Sequence, residues 1–191
     1  MPSPRPVGPR RGRAGALRGR LRLREAGPAD LRTLVRHRRR MWEELRDYAP
    51  ADLDRHDVVY RRWVREQTAR GKFVAFVVED PAGRPVGSGA LWLMPSQPRP
   101  GPLGRGEVPY ILSMFTEPSH RGRGVASRIV REMIRWSRAR RYGRLLLHAS
   151  RFGRPVYARL GFEAGSEMRL ELIAQPPAPK RPRRGRSAAR S

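Results

Sequence analysis

Apolar and polar positions change their period several times along the chain, and each change marks a new element. LRLRE (21–25) alternates apolar and charged residues, as a half-buried strand does. In GPADLRTLVRHRRRMWEEL, Leu31, Leu34, Val35, Arg38 and Trp42 recur every three or four residues behind Pro28, which suits an early helical position. A second helix is predicted over about residues 54–69, with Val58, Val59, Trp63 and Val64 on one face and Gly71 as its stop. FVAFVVED and PVGSGALWLM, joined by PAGR, read as a hairpin, and SQPRPGPLGRG is a loop by composition. EVPYILSMFT is a fourth strand, with Pro109 near its start, where a missing N–H is tolerated. Ala126, Ile129, Val130, Met133, Ile134 and Ser137 then form a helical stripe ending near Gly143. LLLHAS is expected as a short buried strand, RPVYARLGF as a short helix with an exit turn, and EMRLELI as a last strand. The order β-α-α-β-β-β-α-β-α-β, without an internal repeat, predicts a mixed α/β sheet with helices packed on it.

Composition narrows the classes this fold can serve. The 191 residues suit one domain, and 38% apolar content is enough for a core. No apolar run approaches the roughly 20 residues of a spanning helix. With no cysteine, disulfides, thiolate metal sites and a Cys nucleophile are excluded. His37, His56, His120 and His148 show no H-x-x-x-H pairing, so no metal site is expected. The formal charge is +25, but residues 1–20 and 172–191 hold twelve cations and no acid, so 21–171 keep 30 cations against 17 acids. Both tails combine Pro, Gly, Ser and Arg and are expected to be disordered. They suit a weak contact with nucleic acid or simply reflect a chain that uses 40 Arg and two Lys. The first residues lack the apolar core of a secretory signal, so the expected location is cytoplasmic.

Between the fourth strand and the helix after it stands TEPSHRGRGVAS (116–127). A strand that ends in a Gly-containing turn and enters a helix presents free N–H groups and the positive end of the helix dipole to an anion. Missing β-carbons let a phosphate or pyrophosphate reach the backbone, and Arg121 and Arg123 add charge; the same pattern also serves as an ordinary Gly-rich helix start. No G-K-[ST] follows, so the turn is not a Walker loop. A dinucleotide fingerprint is disfavoured, with Ser127 in place of its third small residue and no acid ending the next strand.

Two segments resemble a known family. R-G-R-G-V-A (121–126) is similar to the R/Q-x-x-G-x-G/A motif of the GNAT superfamily of acyl-CoA-dependent N-acetyltransferases, and VYARLGF (156–162) resembles that family's L-Y-x-x-L-G-F segment. The resemblance covers about residues 20–172. It implies a mixed, mostly antiparallel central sheet flanked by helices, an acetyltransferase domain over 21–171, and acetyl-CoA as co-substrate without a metal. The backbone of Arg121, Gly122, Arg123, Gly124, Val125 and Ala126 would hold the CoA pyrophosphate. Phe115 and Thr116 would pair with the pantetheine arm and the thioester carbonyl, which needs a strand with a free edge. Tyr157 would be the general acid that protonates the departing thiolate. Ser150 stands where many members carry an Asn that touches the pantetheine.

The acceptor is expected to be an amine, which attacks only after losing a proton. Glu107, Glu117 and His148 are candidate bases, none fixed by a motif; His148 alternates onto the same face as Ser150. Residues 43–57 hold Glu43, Glu44, Asp47, Asp52, Asp54 and Asp57 against two arginines, which would steer a cationic amine or serve as solvated helix faces and caps. Without a Cys nucleophile, transfer would be direct, in a ternary complex. The alternative is a basic nucleic-acid-binding protein whose domain binds CoA without catalysis; the chain is expected to be a monomer or homodimer without a membrane contact.

Overall fold

The structure is a computed structural model that describes residues 20–98, 100, 106–168, 170, 172, 173 and 177. Almost all of both basic tails, and part of the 96–106 loop, lie outside those residues. Five strands form one sheet in chain order: β1 (Arg22–Glu25), β2 (Phe73–Glu79), β3 (Pro85–Pro95), β4 (Glu107–Thr116) and β5 (Leu146–Leu147). The first three pairings are antiparallel and the last is parallel. The helices are α1 (Leu31–Leu45), α2 (Pro50–Ala69), α3 (Val125–Ala139) and α4 (Arg154–Ala158). Among the described residues, no helix is long and apolar enough to cross a membrane.

The sheet is covered on both faces. Phe76, Val78, Leu91 and Ile111 pack against Ile129, Val130 and Met133 of α3. Ala75, Val77 and Ala90 pack on the other side against Leu34 and Val35 of α1 and Tyr60 and Val64 of α2. The alternation of β2 and β3 thus separates two cores, as the pleat requires. Arg24 ties β1 to the start of α1 through two hydrogen bonds to Asp30, at 2.6 and 2.8 Å, and reaches Glu79 of β2 at 2.6 Å.

Three expectations change. The buried face of α2 is Leu53, Tyr60 and Val64, while Val58 and Val59 are exposed. Adjacent Val58 and Val59 fit either of two stripes, and the packing partners in β2 and α1 select the one through Tyr60. The strand LLLHAS reduces to Leu146 and Leu147, both half-buried. Of EMRLELI, the described residues Glu167, Met168, Leu170, Leu172 and Ile173 lie outside any strand and are exposed, and positions 169 and 171 lie outside the described residues. Alternation reports which face a residue would show, and a two-residue edge strand is too short a template for another neighbour.

Candidate active site

The site is built by β4. On one edge β4 follows β3 for its whole length, but on the other it meets β5 only at Tyr110↔Leu146 and Ile111↔Leu147. Residues 112–116 therefore run on toward the glycine turn without a strand partner on that edge among the described residues. Within this stretch β4 carries a bulge. Ala90 opposes Leu112 and Ser88 opposes Phe115, so Ser113 and Met114 together face Gly89. Ser113 takes up the extra residue at φ 53°, a left-handed conformation uncommon outside glycine. A β-carbon on Gly89 would stand 2.1 Å from the Met114 sulfur, so the glycine makes room for Met114 in the α3-side core. The bulge reverses the side-chain order: Leu112 and Phe115, three apart, both face α1 and α2.

Beyond Thr116 a short 3-10 turn, Pro118–His120, leads into residues 121–124, all exposed. Gly122 and Gly124 have φ of +74° and +77°, which an L side chain would strain. Gly124 is the N-cap of α3 and no side chain caps the helix, so the N–H groups of its first turn are open to a ligand. Val125, the first helical residue, is buried against Gly87 of β3, where a β-carbon would lie 2.5 Å from Val125 Cγ1. This close approach presses the helix start onto the end of β4. Such an arrangement binds anions. Arg121 leans back from it: Nε donates to the Thr116 carbonyl at 3.0 Å, and Nη2 donates to both Glu44 carboxylate oxygens at 2.6 and 2.8 Å.

Tyr157 of α4 enters the α3-side core, its ring edge-on to Phe162. Burial, followed by the nearby Tyr110 phenol, pushes its hydroxyl up to about pKa 12, so at neutral pH it carries its proton. Gly153 lies directly beneath it; a β-carbon there would come within 2.9 Å of the ring. Ser150 uses its hydroxyl locally, accepting from the Gly153 N–H at 3.2 Å.

The three candidate bases differ sharply in surroundings. Glu107 sits at the far end of β4, held by Lys72 at 2.5 Å and by the Tyr142 hydroxyl at 2.7 Å. Glu117 pairs with Arg40 and lies 3.6 Å from Nε2 of His37. His148 stands at the end of β5 between Tyr110, which it meets through Nδ1, and Glu167, 2.8 Å from Nε2.

His37 was legible only as one of four histidines. It is fully buried on α1 against the Phe115 ring, with Nδ1 2.9 Å from Ser88 Oγ. Burial above all, then the Arg36 charge, with Glu117 opposing and Arg40 adding, pushes its pKa down to about 4. The imidazole is neutral; Arg36 donates to Nε2 and Nδ1–H donates to Ser88. Its signal was its i+3 spacing from Leu34 on the buried stripe of α1.

The acidic stretch is partly paired in the fold. Arg39 takes Glu43, Asp54 and Asp57 at 3.2, 2.6 and 2.9 Å, Arg55 takes Asp52, and Arg121 takes Glu44. The backbone N–H of Asp47 donates to the Pro177 carbonyl at 2.8 Å. Arg39 and Arg121 come from outside the acidic window, so its local charge count overstated the field.

The edge of β4 thus opens ahead of an uncapped helix start with two positive-φ glycines, where the R-G-R-G-V-A motif lies. The profile of the Acetyltransferase (GNAT) family matches residues 38–162, and the chain belongs to that family. A glucosamine 6-phosphate N-acetyltransferase of Trypanosoma brucei brucei is 33% identical over 93 residues, 48% of this chain and 60% of that protein's length. Among solved structures, a GCN5-related N-acetyltransferase from Ralstonia eutropha JMP134 is 28% identical, with a TM-score of 0.71 over 80% of this chain and 98% of its own. A predicted acetyltransferase from Clostridium acetobutylicum, solved with acetyl-CoA, is 26% identical, with a TM-score of 0.70 over 81% and 96%.

Proposed function

We propose that this enzyme transfers the acetyl group of acetyl-CoA to a primary amine by direct attack within a ternary complex. The observation that carries the reading is the edge of β4 over residues 112–116, which meets no strand among the described residues and runs straight into the Gly122 and Gly124 turn. The pyrophosphate occupies the backbone of Arg121, Gly122, Arg123, Gly124, Val125 and Ala126 at the α3 N-terminus. The pantetheine lies along Phe115 and Thr116 as a surrogate strand, and backbone N–H groups on that edge polarise the thioester carbonyl. Ser150, its hydroxyl engaged by Gly153, borders the arm from the other wall.

The amine nitrogen attacks the carbonyl carbon, the C–S bond breaks, and Tyr157 gives its proton to the departing sulfur. Tyr157 suits that role because burial keeps it protonated. The chain has no cysteine to carry an acyl group, which favours direct transfer. Glucosamine 6-phosphate, named for the trypanosomal relative, is the first acceptor to try.

Thermal unfolding with acetyl-CoA, against ATP and NAD, tests the donor half. At about 100 times Kd a specific ligand stabilises by roughly 2.7 kcal/mol, a shift of about 5–10 °C in a domain of this size. Acetyl-CoA alone should produce the shift; an equal shift with every polyanion would overturn the assignment. Thiol release from acetyl-CoA with glucosamine 6-phosphate, aminoglycosides and lysine peptides tests the acceptor half, and no release with any amine refutes it.

A further inference from the structure

Where β4 and β5 part, a second set of polar groups stands on the side away from Tyr157. Tyr110 occupies one of the last two rungs. It shares a face with its cross-strand partner Trp92, whose ring packs edge-on to Trp63 of α2 and whose Nε1 donates to Gln67. Tyr157 lies in the α3-side core, on the opposite face. The two phenols therefore flank the strand opening from its two sides, close enough that Tyr110 influences the ionisation of Tyr157.

The Tyr110 hydroxyl meets Nδ1 of His148, whose Nε2 lies 2.8 Å from Glu167 Oε1. With the imidazole neutral, these contacts fix the direction of each bond. An ionised carboxylate only accepts, so Nε2 carries the hydrogen and donates it to Glu167. Nδ1 is then the bare lone pair, and the Tyr110 O–H donates to it. His148 is about half exposed at 48%, so a proton that reaches it can leave to water. Among the described residues, the titratable groups that face the imidazole include Tyr110 from β4 and Glu167 from the segment after α4, with Tyr157 of α4 beyond Tyr110.

We propose that Tyr110, His148 and Glu167 form the proton exit for the acceptor amine, with Tyr110 as the group that touches the amine. The inference rests on the acetyl-transfer reading above. The ammonium gives one proton to the Tyr110 oxygen as Tyr110 passes its own to Nδ1, leaving an imidazolium beside Glu167. The freed lone pair forms the N–C bond, the C–S bond breaks, and sulfur takes the Tyr157 proton. The second nitrogen proton restores Tyr157, and the proton on His148 goes to solvent. His148 and Glu167 act through Tyr110, as positioning residues that hold the relay ready to accept.

The test is the pH profile of kcat/KM for thiol release with the best amine of the panel, for wild type, Tyr110→Phe and His148→Gln, alongside calorimetric acetyl-CoA binding. Each substitution should lower kcat/KM at pH 7 by about 10²-fold, the lower end for general-base catalysis. Acetyl-CoA Kd should stay within twofold. Protonation of His148 closes the relay, so the wild-type profile should fall on its acid side. His148→Gln should lose that limb and rise with pH toward the amine's own titration. Activities within threefold of wild type with an unchanged profile, or an equal loss at every pH, overturn the relay. Imidazole ¹⁵N resonances give a readout that needs no acceptor: His148 should be the Nε2–H tautomer, losing that preference in Glu167→Gln. An Nδ1–H tautomer overturns the relay even if no amine is acetylated, whereas the absence of acetylation alone refutes the acetyl-transfer reading.

Discussion

His37 should make the stability of the fold depend on pH in a window that lies mostly above the carboxylate range. The imidazole is fully buried and neutral, and its pKa is pushed from an ordinary 6.5 down to about 4. Between those values the unfolded chain binds a proton that the folded chain refuses. The stabilising difference is therefore complete above pH 6.5 and is lost as pH falls toward 4. A gap of about 2.5 units at about 1.36 kcal/mol each gives roughly 3 kcal/mol, a large share of the 5–15 kcal/mol that holds a typical domain. The perturbation is His37→Gln, which keeps a donor within reach of Ser88 and removes the titration. Urea unfolding at pH 7.5, 6, 5 and 4.5 gives the free energy of each form. The wild-type curve should fall below the variant's pH slope by up to about 1.4 kcal/mol per unit between pH 6 and 4.5. Asp30, held below its ordinary range by Arg24, loses its contribution only at lower pH, outside this window. Parallel wild-type and variant curves would show that protonated His37 is accommodated, through Glu117 or water, and would refute the reasoning.

Further outcomes follow from the same contacts. Tyr157→Phe should lower kcat about 10²-fold with the KM for acetyl-CoA nearly unchanged, as steady-state kinetics would show; retained kcat would remove the general-acid role. Glu44→Gln should release Arg121 and tighten acetyl-CoA binding. The pair is exposed and worth at most about 1 kcal/mol, so Kd should fall no more than about fivefold in low-salt calorimetry, and a weaker Kd would contradict the competition. Arg24→Ala leaves Asp30 and Glu79 without their shared partner and should destabilise the fold by about 3 kcal/mol in urea unfolding, with the loss easing as pH falls through the carboxylate range.

The sequence alone determined those features that depend on neighbours within one turn or one strand. The 3–4 spacing of Ile129, Val130 and Met133 specifies α3, the alternation in FVAFVVED and PVGSGALWLM specifies the hairpin, and Gly122 and Gly124 specify a turn that other residues would strain. The family resemblance and Tyr157 came from short motifs of the same kind. Tertiary structure decided whatever depends on partners distant in the chain. The bulge at Ser113 exists because Gly89 on β3 faces two residues of β4, and it moves Phe115 to a face that strict alternation denies it. Arg39 and Arg121 offset part of the acidic excess of residues 43–57, because each reaches it across the fold. EMRLELI alternates as a strand would, yet its described residues join no strand, since period two records faces and not partners. His37 and the Tyr110, His148 and Glu167 chain follow the same rule: their chemistry comes from hydrogen bonds and burial that only packing distant segments together can create.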